Sequence, residues 1–226
     1  MAEPAPEPRS PLQSLQLLAA QEKAIGPGLR HLELYEMDGL LSLMWHGPAA
    51  AERVVLCCGG ALGGLLGPAE GLFHDLGVSL AEQGIGVVRV SYRLPNRLDA
   101  CVHDVLAAAE LAARAGAQRF VTVGHSFGGA VALQAGVILG EHTAGVVTLA
   151  TQSAGCEIGE ELGPTPILLI HGDADQILPP MASEMVRLIV GHGELVILPG
   201  VDHRMAGAAD ELRERLGAWI PAQFAA

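Results

Sequence analysis

A serine flanked by glycines stands near the middle of the chain, in the segment Gly124-His125-Ser126-Phe127-Gly128-Gly129. The apolar residues 120–123 before it predict a buried strand, and residues 127–139 after it predict a helix. A serine on such a sharp strand-to-helix turn exposes its hydroxyl from a strained backbone. Its neighbours two positions away must be small, because strand and helix pass close together there. The pattern therefore predicts that Ser126 is a nucleophile, and that Gly129 lets the helix pack closely.

Two carboxylates follow the strand predicted at residues 167–170, in the turn that holds Asp173 and Asp175. A carboxylate at a strand end can orient an imidazole and stabilise its cation. Either aspartate could instead only form the turn by accepting nearby backbone N–H groups. We favour Asp175 as the catalytic carboxylate and keep Asp173 as the alternative.

A histidine, His203, lies in the loop after the strand predicted at 195–198, where it can act as a general base. The remaining histidines are interpreted as structural or solvated: His31, His46, His74, His103, His125, His142, His171 and His192. Ser126, Asp175 and His203 follow one another in the order nucleophile, acid, base. Three such groups, each after its own strand, predict acyl transfer by a serine nucleophile.

A fourth strand end, after residues 54–57, carries the glycine-rich segment 58–64. It does not fit the dinucleotide pattern, because Ala61 stands where the second glycine is needed. It does not fit a phosphate-binding P-loop either, because leucines follow in place of Lys-Ser/Thr. We therefore expect a loop whose N–H groups stabilise an oxyanion, with Gly60 or Ala61 as one donor and the N–H of Phe127 as the other.

The elements that must position these groups alternate between strand and helix from residue 53 onward, and the strands are apolar on both faces. This pattern predicts an α/β fold with a mostly parallel sheet of about eight strands and helices on both faces. Asp38-Gly39 indicates a hairpin ahead of that region. Leucine spacing predicts a short helix over 12–24. Residues 1–11 are predicted to be a disordered tail and residues 12–226 one domain.

Composition narrows the classes of partner. The chain of 226 residues has 13 Lys+Arg and 25 Asp+Glu, a formal net charge of −12. Such acidity argues against nucleic acid and anionic membranes as partners. The uncharged stretch between Arg119 and Glu141 is long enough to span a bilayer, but its glycines favour a strand, a turn and a buried helix. The four cysteines predict buried free thiols in a reducing compartment, and with no signal peptide evident we expect a cytoplasmic protein.

Three motifs together resemble the α/β-hydrolase superfamily, and within it the small lidless members of dienelactone-hydrolase-like, carboxylesterase or thioesterase type. The motifs are Gly124-His125-Ser126-Phe127-Gly128-Gly129, His171-Gly172-x-x-Asp175-x-x-x-Pro179 and Gly200-x-x-His203, and the resemblance spans about residues 30–220. It implies a Ser-His-Asp triad, and we expect neither a cofactor nor a metal. Two positions depart from the pattern. Relatives often have His-Gly where this chain has Cys58-Gly59, and dienelactone hydrolases use a cysteine where it has Ser126.

The expected reaction is cleavage of a carboxylic ester or thioester through an acyl-enzyme, on a small-molecule acyl substrate. The segment 150–166 is too short for a helical lid, which predicts an open cleft. Leu65, Leu66, Arg93 and Met205 are candidates for the substrate pocket, with Arg93 and Arg204 able to attract a substrate carboxylate. The alternatives are a peptidase and a non-catalytic small-ligand binding protein, and the oligomeric state stays open.

Overall fold

The computed structural model describes residues 9–225, so residues 1–8 of the tail predicted over 1–11 lie outside the described residues. Nine strands form one sheet in the order β1-β2-β3-β5-β4-β6-β7-β8-β9. The strands are β1 (Leu17–Gly26), β2 (Leu29–Glu36), β3 (Gly39–His46), β4 (Arg53–Cys58), β5 (Gly86–Ser91), β6 (Arg119–His125), β7 (Thr143–Leu149), β8 (Ile167–Gly172) and β9 (Glu194–Leu198). Strands β4 to β9 run parallel, and β1, β2 and β3 extend the sheet in antiparallel fashion. The mostly parallel sheet is as predicted.

Helices cover both faces of the sheet. They are α1 (Pro11–Ser14), α2 (Leu72–Ala81), α3 (Leu98–Ala115), α4 (Phe127–Leu139), α5 (Met181–Val190) and α6 (Ala209–Gln223), with short 3-10 turns at Gly140–His142 and Glu157–Leu162. Side chains alternate along β4, so Val54 packs with α3 and α4 while Val55 packs with α2 and α6. Both faces of the strand are therefore buried, which explains its continuous apolar run.

The helix expected over 12–24 is wrong in extent, because only α1 is helical and β1 follows it. Leu12 and Leu15, which produced the helical spacing, are buried. Leu15 then turns to an extended backbone, and the chain pairs with β2. Every residue of β1 is exposed, so no burial pattern marks it as a strand. Ladder hydrogen bonds to β2 override the helix-favouring composition, and the sheet has nine strands instead of eight.

The N-terminal prediction needs one further correction. Ser10 accepts a hydrogen bond from the Gln13 N–H and so caps α1, and Pro11 is the first helical residue. The Ser10 hydroxyl and the Leu12 N–H both donate to the Glu110 carboxylate on α3, each at 2.8 Å. The ordered chain therefore begins before residue 12.

The uncharged stretch that could mimic a membrane span is divided between β6 and α4, as predicted. Among residues 9–225, no helix is both long and apolar enough to cross a bilayer. The segment 150–166 forms only a 3-10 turn, whose Leu162 packs among core residues of α4, α5 and β8. No lid covers the carboxyl ends of the strands in the described structure, as predicted from the length of this segment.

One buried histidine makes stability depend on pH. His46, at the end of β3, is enclosed beside α2, and burial lowers its pKa to about 4. In the unfolded chain the pKa of this side chain is near 6.5. Between about pH 6.5 and pH 4 the unfolded state therefore binds a proton at His46 that the folded state does not bind. We expect the free energy of unfolding to fall as pH drops from about 6.5 to about 4. The loss from His46 by pH 4.5 should be about 2 kcal/mol.

Urea unfolding at pH 7 and pH 4.5 measures this contribution. His46→Gln should lose less stability between the two pH values than the wild type. The control is His142→Gln, which changes an exposed histidine and should retain the wild-type pH dependence. An identical pH dependence for His46→Gln and wild type would contradict the assignment.

Candidate active site

The strand ends β6, β8 and β9 bring Ser126, Asp175 and His203 together. The Ser126 hydroxyl lies 2.9 Å from Nε2 of His203, and Nδ1 of His203 lies 2.7 Å from Oδ2 of Asp175. An ionised carboxylate only accepts, so Nδ1 carries the proton and Nε2 is free to accept from the serine. This is the hydrogen-bond order that general-base activation of a serine requires.

The backbone at Ser126 accounts for the glycines around it. Its φ of 57° and ψ of −122° lie in a region that side chains rarely adopt, and its N–H donates to the Leu149 carbonyl at 2.8 Å. A Cβ on Gly124 would overlap the Gly128 carbonyl, and one on Gly128 would overlap the Cys58 and Gly59 carbonyls. The close approach of β6, α4 and β4 thus requires glycine at these positions. Gly129 is equally confined, but by Thr151 after β7.

Asp175 is held as an anion by four hydrogen bonds. Oδ1 accepts from the N–H groups of Ile177 and Leu178, each at 2.8 Å, and Oδ2 accepts from His203 and from Nε2 of His171. Burial alone would raise the pKa of Asp175, but the donors from Leu178, His203 and Ile177 hold it below its usual value. The carboxylate therefore stays charged opposite the imidazole.

Asp173, the alternative carboxylate, has a different position. Its Oδ1 accepts from the Gly200 N–H at 2.6 Å, which ties the β8 turn to the loop after β9. It makes no hydrogen bond to His203 in the described structure. The geometry places Asp175, and not Asp173, beside the imidazole.

The glycine-rich loop after β4 forms one wall of a cavity of about 620 Å³ that opens at Ser126. Its lining is formed by residues 59–67 of the loop together with His125, Ser126, Ile177 and His203. Leu65 and Leu66, the pocket candidates of this loop, line the cavity together with Gly60 and Ala61, the two candidate oxyanion donors. Phe127 begins α4, so its N–H lies in the first turn, where helical N–H groups have no intrahelical partner.

Arg93 and Met205 were predicted to line the pocket, and the structure places both elsewhere. Arg93 is nearly buried between Glu36 and Asp104 and pairs with both carboxylates. Met205 is fully buried in the core formed by α2, α6 and the sheet. Arg204 is mostly exposed and lines two smaller cavities, of about 400 and 430 Å³, one beside His125 and the other beside His203. Of these three residues, only Arg204 remains near the cleft.

Three side chains not predicted from the sequence to take part in the site donate hydrogen bonds to backbone carbonyls around it. His125 lies 2.8 Å from the His203 carbonyl through Nε2, and burial lowers its pKa to about 4, so it is neutral and donates this bond. The buried Tyr92 hydroxyl donates to the Gly59 carbonyl at 3.1 Å, and Arg89 donates to the Leu65 carbonyl at 3.2 Å. The available signal was that polar residues lie within apolar strands or directly after them. Their hydrogen-bond partners are distant in sequence, so the role of each residue could not be inferred from the sequence.

Comparison with known proteins identifies the family of the chain. The model of the phospholipase/carboxylesterase family matches residues 97–210, which is half of the chain and includes Ser126, Asp175 and His203. No curated protein gives a significant match.

Solved structures share the fold over most of their length. Est1E from Butyrivibrio proteoclasticus is 16% identical, with 87% of this chain and 99% of that chain covered and a TM-score of 0.73. Dienelactone hydrolase from Anabaena variabilis is 17% identical, with coverages of 90% and 98% and a TM-score of 0.72. XC6422 from Xanthomonas campestris, a serine hydrolase without lid, is 22% identical, with coverages of 88% and 99% and a TM-score of 0.63. These similarities show the α/β-hydrolase fold.

Proposed function

This chain belongs to the phospholipase/carboxylesterase family, and we propose that it cleaves carboxylic esters or thioesters through an acyl-enzyme formed on Ser126. The observation that carries the proposal is the unbroken hydrogen-bond chain from Asp175 through His203 to Ser126, which ends in an open cavity. Dienelactone hydrolase from Anabaena variabilis is similar in fold. The serine at the nucleophile position of this chain nevertheless favours esterase activity over dienelactone hydrolysis.

The first step uses the geometry directly. His203 takes the proton of the Ser126 hydroxyl through Nε2 while the serine oxygen attacks the acyl carbonyl. Asp175 stabilises the imidazolium that forms. The developing oxyanion accepts from the Phe127 N–H and from the N–H of Gly60 or Ala61. Removing one such donor costs about 2.7–4 kcal/mol of transition-state stabilisation in comparable enzymes.

The second step releases the acyl group. The imidazolium of His203 protonates the leaving alcohol or thiol as the tetrahedral intermediate collapses. Water then enters next to the same imidazole, which removes its proton as the water attacks the acyl-enzyme. Hydrolysis returns Ser126 with its hydroxyl proton, so the cycle needs only water and the acyl substrate.

The cavity favours an apolar acyl group of modest size. Leu65, Leu66 and Ile177 line it beside the nucleophile, and Leu66 and Ile177 are largely exposed. No carboxylate of the described chain lines this cavity, and an acyl chain against leucine gains from apolar burial. We propose a small-molecule acyl ester or thioester as substrate and a cytoplasmic location for the reaction.

A fluorophosphonate probe tests the nucleophile. We expect covalent labelling of the wild type and of Ser79→Ala, which removes an exposed serine on α2, and no labelling of Ser126→Ala. Equal labelling of Ser126→Ala and wild type would refute the assignment. A series of p-nitrophenyl esters of increasing acyl length, with an acyl-CoA and a peptide amide as further arms, then identifies the substrate class. Turnover of the peptide alone would favour a peptidase, and binding without turnover in every arm would favour a non-catalytic binding protein.

A further inference from the structure

A second histidine contacts the same oxygen of the triad carboxylate as His203 does. His171, at the end of β8, is fully buried. Its Nε2 lies 3.1 Å from Oδ2 of Asp175 and 3.0 Å from the Leu178 carbonyl oxygen. Its Nδ1 lies 2.7 Å from the hydroxyl of Ser183, a fully buried residue of α5. Both ring nitrogens therefore have partners inside the protein.

The partners fix the protonation of the His171 ring. A carbonyl oxygen and a carboxylate can only accept, so Nε2 must carry the hydrogen. Nδ1 then accepts from the Ser183 hydroxyl, and the neutral imidazole has both nitrogens satisfied. Asp175 and the Leu178 carbonyl thus select the tautomer, and Ser183 satisfies the ring nitrogen that this tautomer leaves without a hydrogen.

We propose that His171, held in place by Ser183, is a positioning residue for Asp175, an inference that rests on the proposed function. His171 orients the carboxylate and weakens its electrostatic attraction for His203. Two imidazole N–H groups share Oδ2, while two backbone N–H groups occupy Oδ1. The hydrogen bond from His171 to Oδ2 withdraws charge from this oxygen, which also faces His203. Because Leu178 accepts from His171 and donates to Asp175, the same ring also fixes the turn that carries the aspartate.

The other titratable groups near the two imidazoles are few. The neutral His125 ring packs 5.1 Å from that of His203, measured between the ring centroids. Asp202 and Arg204 flank His203 in the loop and lie 4.0 Å apart. Among residues 9–225, only Asp175 hydrogen-bonds to both imidazoles. Substitution at His171 should therefore reach His203 through Asp175.

The experiment follows p-nitrophenyl acetate hydrolysis from pH 5 to pH 9 in four variants and the wild type. His171→Phe keeps an aromatic ring at this position but removes the N–H donor. We expect kcat to fall about 10- to 100-fold, while KM stays within about twofold of wild type. Asp175 then attracts the His203 cation more strongly, so the acid limb of kcat/KM should move to higher pH. His171→Gln restores an N–H donor and should recover most of kcat and the limb. Ser183→Ala should change both in the same direction by less, and exposed His142→Gln should leave them unchanged.

The outcomes separate this proposal from the proposed function. An acid limb that stays at its wild-type pH in His171→Phe, with no recovery in His171→Gln, would reduce His171 to a packing residue and overturn the inference. Where His171→Phe fails to fold in thermal melting, His171→Gln and Ser183→Ala decide, and a wild-type pH profile for Ser183→Ala overturns it. Wild-type hydrolysis that survives in Ser126→Ala would instead overturn the proposed function.

Discussion

Asp175→Asn is expected to lower kcat on a p-nitrophenyl ester by about 10⁴-fold while the fold stays intact. The amide oxygen can still accept from the Ile177 and Leu178 N–H groups, which leaves the amide NH₂ facing Nδ1 of His203. Nδ1 must then lose its hydrogen and accept, so the proton moves to Nε2. An imidazole protonated at Nε2 cannot accept from the Ser126 hydroxyl, and the nucleophile is not activated.

The same turn contains a matched control. Asp173→Asn changes a carboxylate two residues away that accepts only from the Gly200 N–H. It should keep kcat within about threefold of wild type, because the Ser126–His203 hydrogen bond is untouched and an amide oxygen can replace the acceptor. Steady-state kinetics of the two variants at pH 7 to 8 measure the contrast. A loss of similar size in both would show that the turn, and not the triad carboxylate, had been disrupted.

The sequence was most informative where chemistry and fold require the same residue. Gly124 and Gly128 satisfy a steric demand of the strand–helix crossing, and that demand exists only when the serine between them sits on the sharp turn. The apolar runs of β4, β6 and β8 identify strands buried on both faces, and the carboxyl ends of parallel strands meet at one edge. The juxtaposition of Ser126, Asp175 and His203 could therefore be predicted from their positions in the fold.

The remaining errors share a physical origin, since each depends on a partner that the local sequence pattern does not identify. Arg93 follows a strand end, where a substrate contact was plausible, but Glu36 and Asp104 take up its charge from two other elements. Strand β1 has no burial pattern because its backbone pairs with β2 while every one of its residues stays exposed. His171 is indistinguishable in sequence from other buried histidines until Ser183 and Asp175 are seen to flank it.

The largest effect on stability is expected from Gly124→Ala. The new Cβ would overlap the Gly128 carbonyl oxygen and approach Cβ of Ala132 within 2.8 Å. These atoms belong to α4, and they cannot yield by a change of rotamer, so helix and strand must separate. We expect a loss of more than about 4 kcal/mol in the free energy of unfolding, in the range of severe overpacking in a core.

A second glycine shows that the effect is steric and does not come from the alanine itself. Gly217 lies inside α6, and a Cβ there would meet open space. Gly217→Ala should therefore raise the free energy of unfolding by up to about 1 kcal/mol, since alanine restricts the unfolded chain and favours the helix. Urea unfolding of both variants gives two changes of opposite sign. A Gly124→Ala protein as stable as wild type would mean that β6 and α4 do not cross as closely as the turn at Ser126 requires. The strained backbone conformation of Ser126 would then have no structural explanation.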